Sequence, residues 1–281
     1  MSVLSRPMVA TDALVLRAWP TGETSVVASL LTAGHGFLRV IAKGARAGAS
    51  ALRPLVQPGR LVAVECGLDP ARELQYLRGG SALLDPLAIG NSLERTAYLL
   101  AGMELIDRCR PAAGPDEALF GLCRRFVQML SCAPAEAAAR LYFGLELGLL
   151  SVHGFAPTLE ACAVCGVGVP LAEDPGVVFS AGAGGVVCPA CAAGAPGDGR
   201  WSVCAGTVAL LKALEADPQP RTADGGASRN DREAGILLHR FLGYHLPGYR
   251  LPAGLDLLRA GRRPAAAGAA AQKGDAWSTR R

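Results

Sequence analysis

The sequence predicts an α+β chain: a small closed β-barrel at the N-terminus, then a helical bundle into which a four-cysteine module is inserted. Three observations predict it. Five short, partly alternating apolar runs separated by Gly- and Pro-rich turns occupy residues 1–84. From residue 85 the apolar period lengthens from two to about 3.6. Within the helical part, four cysteines stand as two tight pairs, Cys162-Ala-Val-Cys165 and Cys188-Pro-Ala-Cys191.

The first strand runs from Thr11 to Trp19 and stops at Pro20, with Gly22 making the turn. A second strand spans Glu23 to Leu31, and Gly34-His-Gly36 is a tight connection to the third, Phe37 to Lys43. That strand alternates: Leu38, Val40 and Ala42 on one face, Phe37, Arg39, Ile41 and Lys43 on the other. An aromatic, an aliphatic and two cations on one exposed face make a stacking and phosphate-neutralising platform. Gly44 to Ser50 is a Gly/Ala-rich loop, followed by strands Leu61–Leu68, behind Pro58-Gly59, and Leu74–Leu84. Five strands in so short a segment suggest an OB-type barrel, with a sandwich as the alternative.

Asn91, with Glu94 three positions later, reads as the cap of a helix to about Cys109. Asp116 caps the next, in which Leu119, Leu122, Cys123, Phe126, Val127 and Leu130 form one apolar stripe. Pro134 opens a third helix, carrying Leu141, Leu145 and Leu149 and ending near Gly154. Helical pattern resumes from Gly206 to Ala216 and again from Asn230, where Glu233 repeats the capping spacing and Leu237, Leu238 and Phe241 face inward. The expected divisions are a barrel at 1–84, a helical domain at 85–157 continued at 201–259, a cysteine module at 158–200, and a disordered basic tail at 260–281, with a flexible loop at 217–229.

Each cysteine pair sits on a turn, marked by Gly166 after the first and Pro189 within the second. Two thiolate pairs complete a tetrahedral shell, so Cys162, Cys165, Cys188 and Cys191 are expected to hold one structural zinc ion with no position left for water. The intervening 22 residues slightly exceed the usual spacing of roughly 15–20. The competing readings are two disulfides or a redox pair; disulfides would call for a secreted protein, and the start of the sequence carries no secretory signal pattern. Cys66, Cys109, Cys123, Cys132 and Cys204 fall in apolar patterns and read as reduced core residues.

The net charge of +4 is unevenly placed: residues 1–84 and 260–281 are each +4, around an acidic middle of −4. Basic ends suggest a front that meets a polyanion and a body that meets proteins. No apolar run approaches the ~18 residues a membrane span needs, which predicts a soluble protein with no membrane partner. Phosphate-loop, zinc-deaminase and metalloprotease patterns are missing, and His35, His153, His239 and His245 are dispersed. The pattern argues for binding and against turnover.

Ala13-Leu-Val-Leu-Arg17, Gly22-Glu23, His35-Gly36 and Ala42-Lys43-Gly44-Ala45-Arg46 follow in an order and spacing that resemble the opening barrel of the RecO family of bacterial recombination mediators. His153-Gly-Phe-Ala-Pro157 with Cys162 and Cys165-Gly166 is similar to that family's junction between helix and zinc module, and Arg240-Phe-Leu with Tyr244-His245-Leu246 to its closing helix. The resemblance implies an OB-fold, a helical body and a zinc site on the four paired cysteines. It implies binding of single- and double-stranded DNA, annealing of complementary strands, and help to RecA in displacing single-strand-binding protein, with RecR as partner. DNA-facing residues would be Arg17, Arg39, Lys43, Arg46 and Arg53, with Phe37 as the stacking ring. The family's helical domain is expected to receive the acidic, aromatic C-terminal tail of single-strand-binding protein, for which Arg124, Arg125 and Arg240 are the candidate cations. The implied location is cytoplasmic, at the nucleoid. The rival readings are a zinc-containing interaction adaptor whose DNA contact is incidental and, more remotely, a zinc hydrolase.

Overall fold

The computed structural model describes residues 7–86, 92–110, 114–171, 176–194, 199–217 and 228–261. Most of the loop at 217–229 and of the tail at 260–281, and Asn91 itself, lie outside the described residues.

Five strands, β1 (Met8–Thr21), β2 (Ser25–Thr32), β3 (Gly36–Ala42), β4 (Leu61–Gly67) and β5 (Leu74–Leu84), close into a barrel in the order β1-β2-β3-β5-β4. Only β3 and β5 pair in parallel; the other contacts are antiparallel. Closure leaves no edge to be protected. The interior is filled by Ala13, Val15, Ala28, Leu30, Val40, Val62 and Val64, and by Leu55 and Val56 from a short 3-10 turn in the β3–β4 connection. A bulge between Val15 and Arg17 lets β1 turn Leu14 and Leu16 outward, onto the helices.

The helical body comprises α1 (Leu93–Arg108), α2 (Glu117–Cys132), α3 (Ala138–Val152), α5 (Ala205–Ala216), α6 (Arg229–His245) and the short α7 (Asp256–Gly261), with α4 (Pro189–Ala192) inside the cysteine module. Asp116 caps α2 as expected, its carboxylate accepting from Leu119 N at 2.8 Å. Two caps differ from expectation. Ser92 caps α1, and Ser228 with Asp231 forms the capping box of α6. Glu233 instead reaches across to α5, where its carboxylate accepts from the Cys204 N–H at 2.8 Å and from the Thr207 hydroxyl. It thus caps a neighbouring helix. Helix α3 buries ten of its 15 residues and runs through the middle of the bundle. Each fully buried leucine there contributes about 1.5–3 kcal/mol.

A three-stranded sheet, ordered β7 (Gly185–Val187), β6 (Val177–Ser180), β8 (Arg200–Val203), carries the cysteine module. Its Val177, Phe179, Val186 and Val203 join the helical core, with Phe179 edge-on to Phe241 of α6 at 5.4 Å. The module is therefore inserted into the bundle and shares its core. Gly185 is required at its place: a Cβ would stand 2.1 Å from the Thr158 carbonyl oxygen, whose strand bridges it.

Barrel and body meet where the end of α1 lies on the outer face of β2 and β3. Ser29 of β2 donates to Asp107 at 2.7 Å and accepts from Arg110 at 2.7 Å, while Arg110 and Asp107 are ion-paired. The Arg110 guanidinium covers the Phe37 ring at 4.9 Å. Gly36 has a positive φ of 64°, and the Gly114 carbonyl oxygen would lie 2.2 Å from any Cβ there, so the chain entering α2 crosses directly over the β2–β3 turn.

Candidate metal centre and nucleic-acid interface

The two cysteine pairs converge although 22 residues separate them. In the first, Cys162 N donates to Val167 O and Gly166 N to Cys162 O, both at 2.8 Å, with Gly166 at φ 73° closing the turn. In the second, β7 delivers Cys188 as the N-cap of α4, with Pro189 at the first helical position and Cys191 N donating to Cys188 O at 3.1 Å. The four sulfurs lie within 4.8 Å of one another, and Cys165 Sγ is 3.7 Å from Cys188 Sγ. A disulfide needs sulfurs at about 2.05 Å. A tetrahedron with metal–sulfur bonds of about 2.3 Å has edges of about 3.8 Å. The spacing fits the metal.

The electrostatics fit as well. The Cys188 backbone N–H helps draw the Cys162 thiol down to about 6, and a hydrogen bond to the Cys188 sulfur holds the Cys191 proton, pushing that group up to about 12. Proton sharing among four close sulfurs ends when a cation binds and all become thiolates. The module's own core is small, with Cys162, Val187 and Cys188 buried together, so cross-linking by a metal adds what burial cannot.

The structure divides the outer face of β3. Phe37 pairs with Leu31 and is partly buried against the helical body, under Arg110. Arg39, opposite Ser29, is exposed, and Lys43 at the strand's end is exposed too. The parallel β3–β5 pairing sets Ile41 beside Tyr76, so that Lys43 Nζ lies 5.1 Å and the Arg78 guanidinium 5.4 Å from the Tyr76 ring. The Arg46 main chain donates to Thr24 O at 2.8 Å, and its side chain reaches Gly22 O only at 3.5 Å. Arg53 braces the loop, donating to Ala45 O, Arg46 O and Ala47 O at 3.4, 3.2 and 3.3 Å. Arg17 lies over the Trp19 ring at 5.6 Å. Among the described residues, Arg17, Arg39, Lys43, Arg46, Arg53 and Arg78 have no carboxylate partner, whereas Arg60, Arg72, Arg108, Arg110, Arg140 and Arg259 are ion-paired.

Tyr76, Arg78 and Trp19, which the sequence did not single out, lie among these cations. The alternation of Leu74, Tyr76 and Arg78 with Gln75 and Leu77 was a signal for two of them. Their apposition to Lys43 needs the parallel pairing, which no local pattern encodes.

On the helical body, Arg124 rests over Phe120 of its own helix at 5.8 Å and Arg240 over Trp201 of β8 at 5.6 Å; Arg125 is exposed. They sit on different supports. A separate apolar groove of about 320 Å³ opens between α1, α3, α6 and α7, lined by Tyr98, Phe143, Ile236, Leu255 and Leu258, with Arg232 and Arg259 at its rim. Glu146 and Tyr142 form part of its floor. His153 and His245 bond to the carbonyls of Cys109 and Ala181, and His239 to the Tyr249 hydroxyl. Among the described residues no helix is long and apolar enough to cross a membrane.

Comparison with known proteins adds two family models that between them cover most of the chain. One described as "Recombination protein O N terminal" matches residues 6–84, and one described as "Recombination protein O C terminal" matches residues 90–253. The DNA repair protein RecO of Anaeromyxobacter dehalogenans (strain 2CP-C) is 35% identical over 246 residues, 85% of this chain and 92% of that protein. That of Pelotomaculum thermopropionicum is 32% identical over 263 residues, 92% and 97% of the two chains.

Proposed function

Because the chain belongs to the RecO family of DNA repair proteins, we propose that it is a recombination mediator that binds single- and double-stranded DNA, anneals complementary strands and assists RecA loading together with RecR. The observation that carries this reading is the set of cations without carboxylate partners on the barrel. Arg39 and Lys43 at β3 and Arg46 and Arg53 on the following loop, with Arg17 and Arg78 beside them, offer charge that no carboxylate among the described residues neutralises. Surface cations left unpaired in this way match a phosphate backbone. Phe37 is the least accessible of the expected contacts, and Tyr76, between Lys43 and Arg78, supplies an exposed-face ring in its stead.

In this reading the four cysteines hold one structural zinc ion, which fixes the module and leaves no coordination site for chemistry. The protein acts without turnover, in the cytoplasm at the nucleoid, and its working units are the barrel at 1–84, the helical body at 85–157 and 201–259, and the module at 158–200. The tail of single-strand-binding protein, acidic and aromatic, finds both an apolar seat and cations in the groove rimmed by Arg232 and Arg259. Arg240 lies over Trp201 of β8, and Arg124 and Arg125 lie on α2, all three outside that lining.

Annealing of complementary strands, naked and coated with single-strand-binding protein, tests the reading. Wild type should accelerate both. Arg232→Glu should slow only the coated reaction, by about tenfold, as expected for one charge-assisted hydrogen bond at a partly desolvated rim. No acceleration of either reaction by wild type would discard the mediator reading in favour of an adaptor.

A further inference from the structure

Trp19, with the Arg17 guanidinium over its ring, borders a cavity of about 450 Å³ that Arg46 and Arg53 also line. That volume lies within the ~300–1,000 Å³ of small-molecule sites. The cavity lies between the β1–β2 hairpin and the segment from Ala45 to Pro58. Ala18, Pro20, Val26 and Val56 supply apolar wall, and Arg46, Arg53 and Gln57 the polar groups. This mixture of an aromatic plane, aliphatic walls and two cations suits a flat heterocycle joined to phosphate.

The site is held in shape before any ligand arrives. Val26 pairs with Pro20 and Val27 with Trp19 across the hairpin, which fixes the indole. Arg53 ties the opposite wall through three carbonyls, and Gln57 Nε2 donates to Arg53 O at 3.3 Å. Arg17 meets the indole from outside the cavity lining, so the ring has a cation to one side and the cavity to another. Among the described residues the Arg46 guanidinium makes only the 3.5 Å contact with Gly22 O, so it can turn to an anion.

We infer that this cavity receives one unstacked nucleobase, laid on the Trp19 indole, with the neighbouring phosphates at Arg46 and Arg53. The inference rests on the reading of the barrel as the DNA-binding face. It assigns Trp19 the discrimination between single strands and duplex. A base in a single strand can leave its neighbours at little cost, whereas one in a duplex must first be unpaired and unstacked, which costs a few kcal/mol.

Affinities of the full chain for oligothymidylate, an abasic strand of the same length and a duplex of the same length test it. Trp19→Ala should weaken oligothymidylate binding about fivefold to a hundredfold, the range for loss of one base–aromatic stack. It should leave the abasic strand and the duplex within about twofold. Trp19→Phe should keep most of the affinity, and the quenching of tryptophan fluorescence by oligothymidylate seen in wild type should fall in that variant although Trp201 and Trp277 remain. Equal loss on all three ligands, or none on oligothymidylate, would overturn the assignment while the DNA-binding reading stands. If wild type binds none of the three, that reading itself fails.

Discussion

Glu146 sits on the central helix with 3% of its surface exposed, one turn beyond Tyr142, whose hydroxyl faces its carboxyl, and among the described residues no other group approaches to pair with its Oε2. Burial pushes its carboxyl well above the ordinary carboxylate range. In the unfolded chain the same group titrates near 4.3. Below that pH both states are protonated and folding bears no penalty. As pH rises, the unfolded state gives up a proton that the folded state keeps, and stability falls by about 1.4 kcal/mol per pH unit until the folded group ionises too. Glu146→Gln should therefore melt close to wild type near pH 4 and at a higher temperature than wild type in neutral buffer, measured by circular dichroism. A parallel pH dependence in the two proteins would mean that the burial is relieved in solution. Asp231 has the opposite fate. Burial alone would raise its pKa, but donation from Arg140 and Ser228 outweighs this and holds the carboxylate below its usual range. The sequence marked neither residue, since both fall inside helical patterns where an acid reads as solvent-facing.

The elements show how far local pattern reaches. The stripe from Leu119 to Leu130 on α2 is buried at Leu119, Cys123, Phe126, Val127 and Leu130, because helical periodicity is a property of a few consecutive residues. Caps were harder. Asn230 with Glu233 has the spacing of a cap, yet Ser228 and Asp231 do that work and Glu233 is drawn to the unpaired N–H groups of α5. Two acids within one turn, Asp231 and Glu233, compete for the role, and packing against α5 settles which wins. The cysteine pairs carry the clearest prediction at this scale. Protein purified without chelator should contain one zinc ion per chain by elemental analysis. Cys188→Ser should lower that content and lower the melting temperature, since Cys162 and Cys188 are themselves two of the three residues buried in the module's own small core. Full stability with no bound metal would remove the zinc site from the account.

In the whole molecule, the barrel and helical body meet along Leu14 and Leu16 of β1, at the Gly36 turn, and at the cluster in which Ser29, Asp107, Arg110 and Phe37 are joined. The open part of β3, with Arg39 and Lys43 exposed, continues the same face beyond that contact. If Arg39, Lys43 and Arg46 each neutralise one phosphate, replacing all three with Ala should reduce the log–log salt slope of single-strand binding by about 2, at roughly 0.7 per contact. An unchanged slope would place the DNA site elsewhere on the chain. What the sequence determined by itself was an N-terminal β domain of five strands, the helical stripes and the two cysteine pairs, because strand alternation, helical period and Cys-x-x-Cys spacing all reside within a few neighbouring residues. What only the tertiary structure decided was which part of the barrel surface stays open. The chain reads Phe37, Arg39, Ile41 and Lys43 as one face, and they are one face. But Asp107 binds Ser29 from 78 residues further along, and Arg110 closes over Phe37 beside it. The parallel β3–β5 pairing likewise brings Tyr76 and Arg78 to Lys43. These are long-range contacts, fixed by how the barrel closes and how α1 docks on it, and no local periodicity records either.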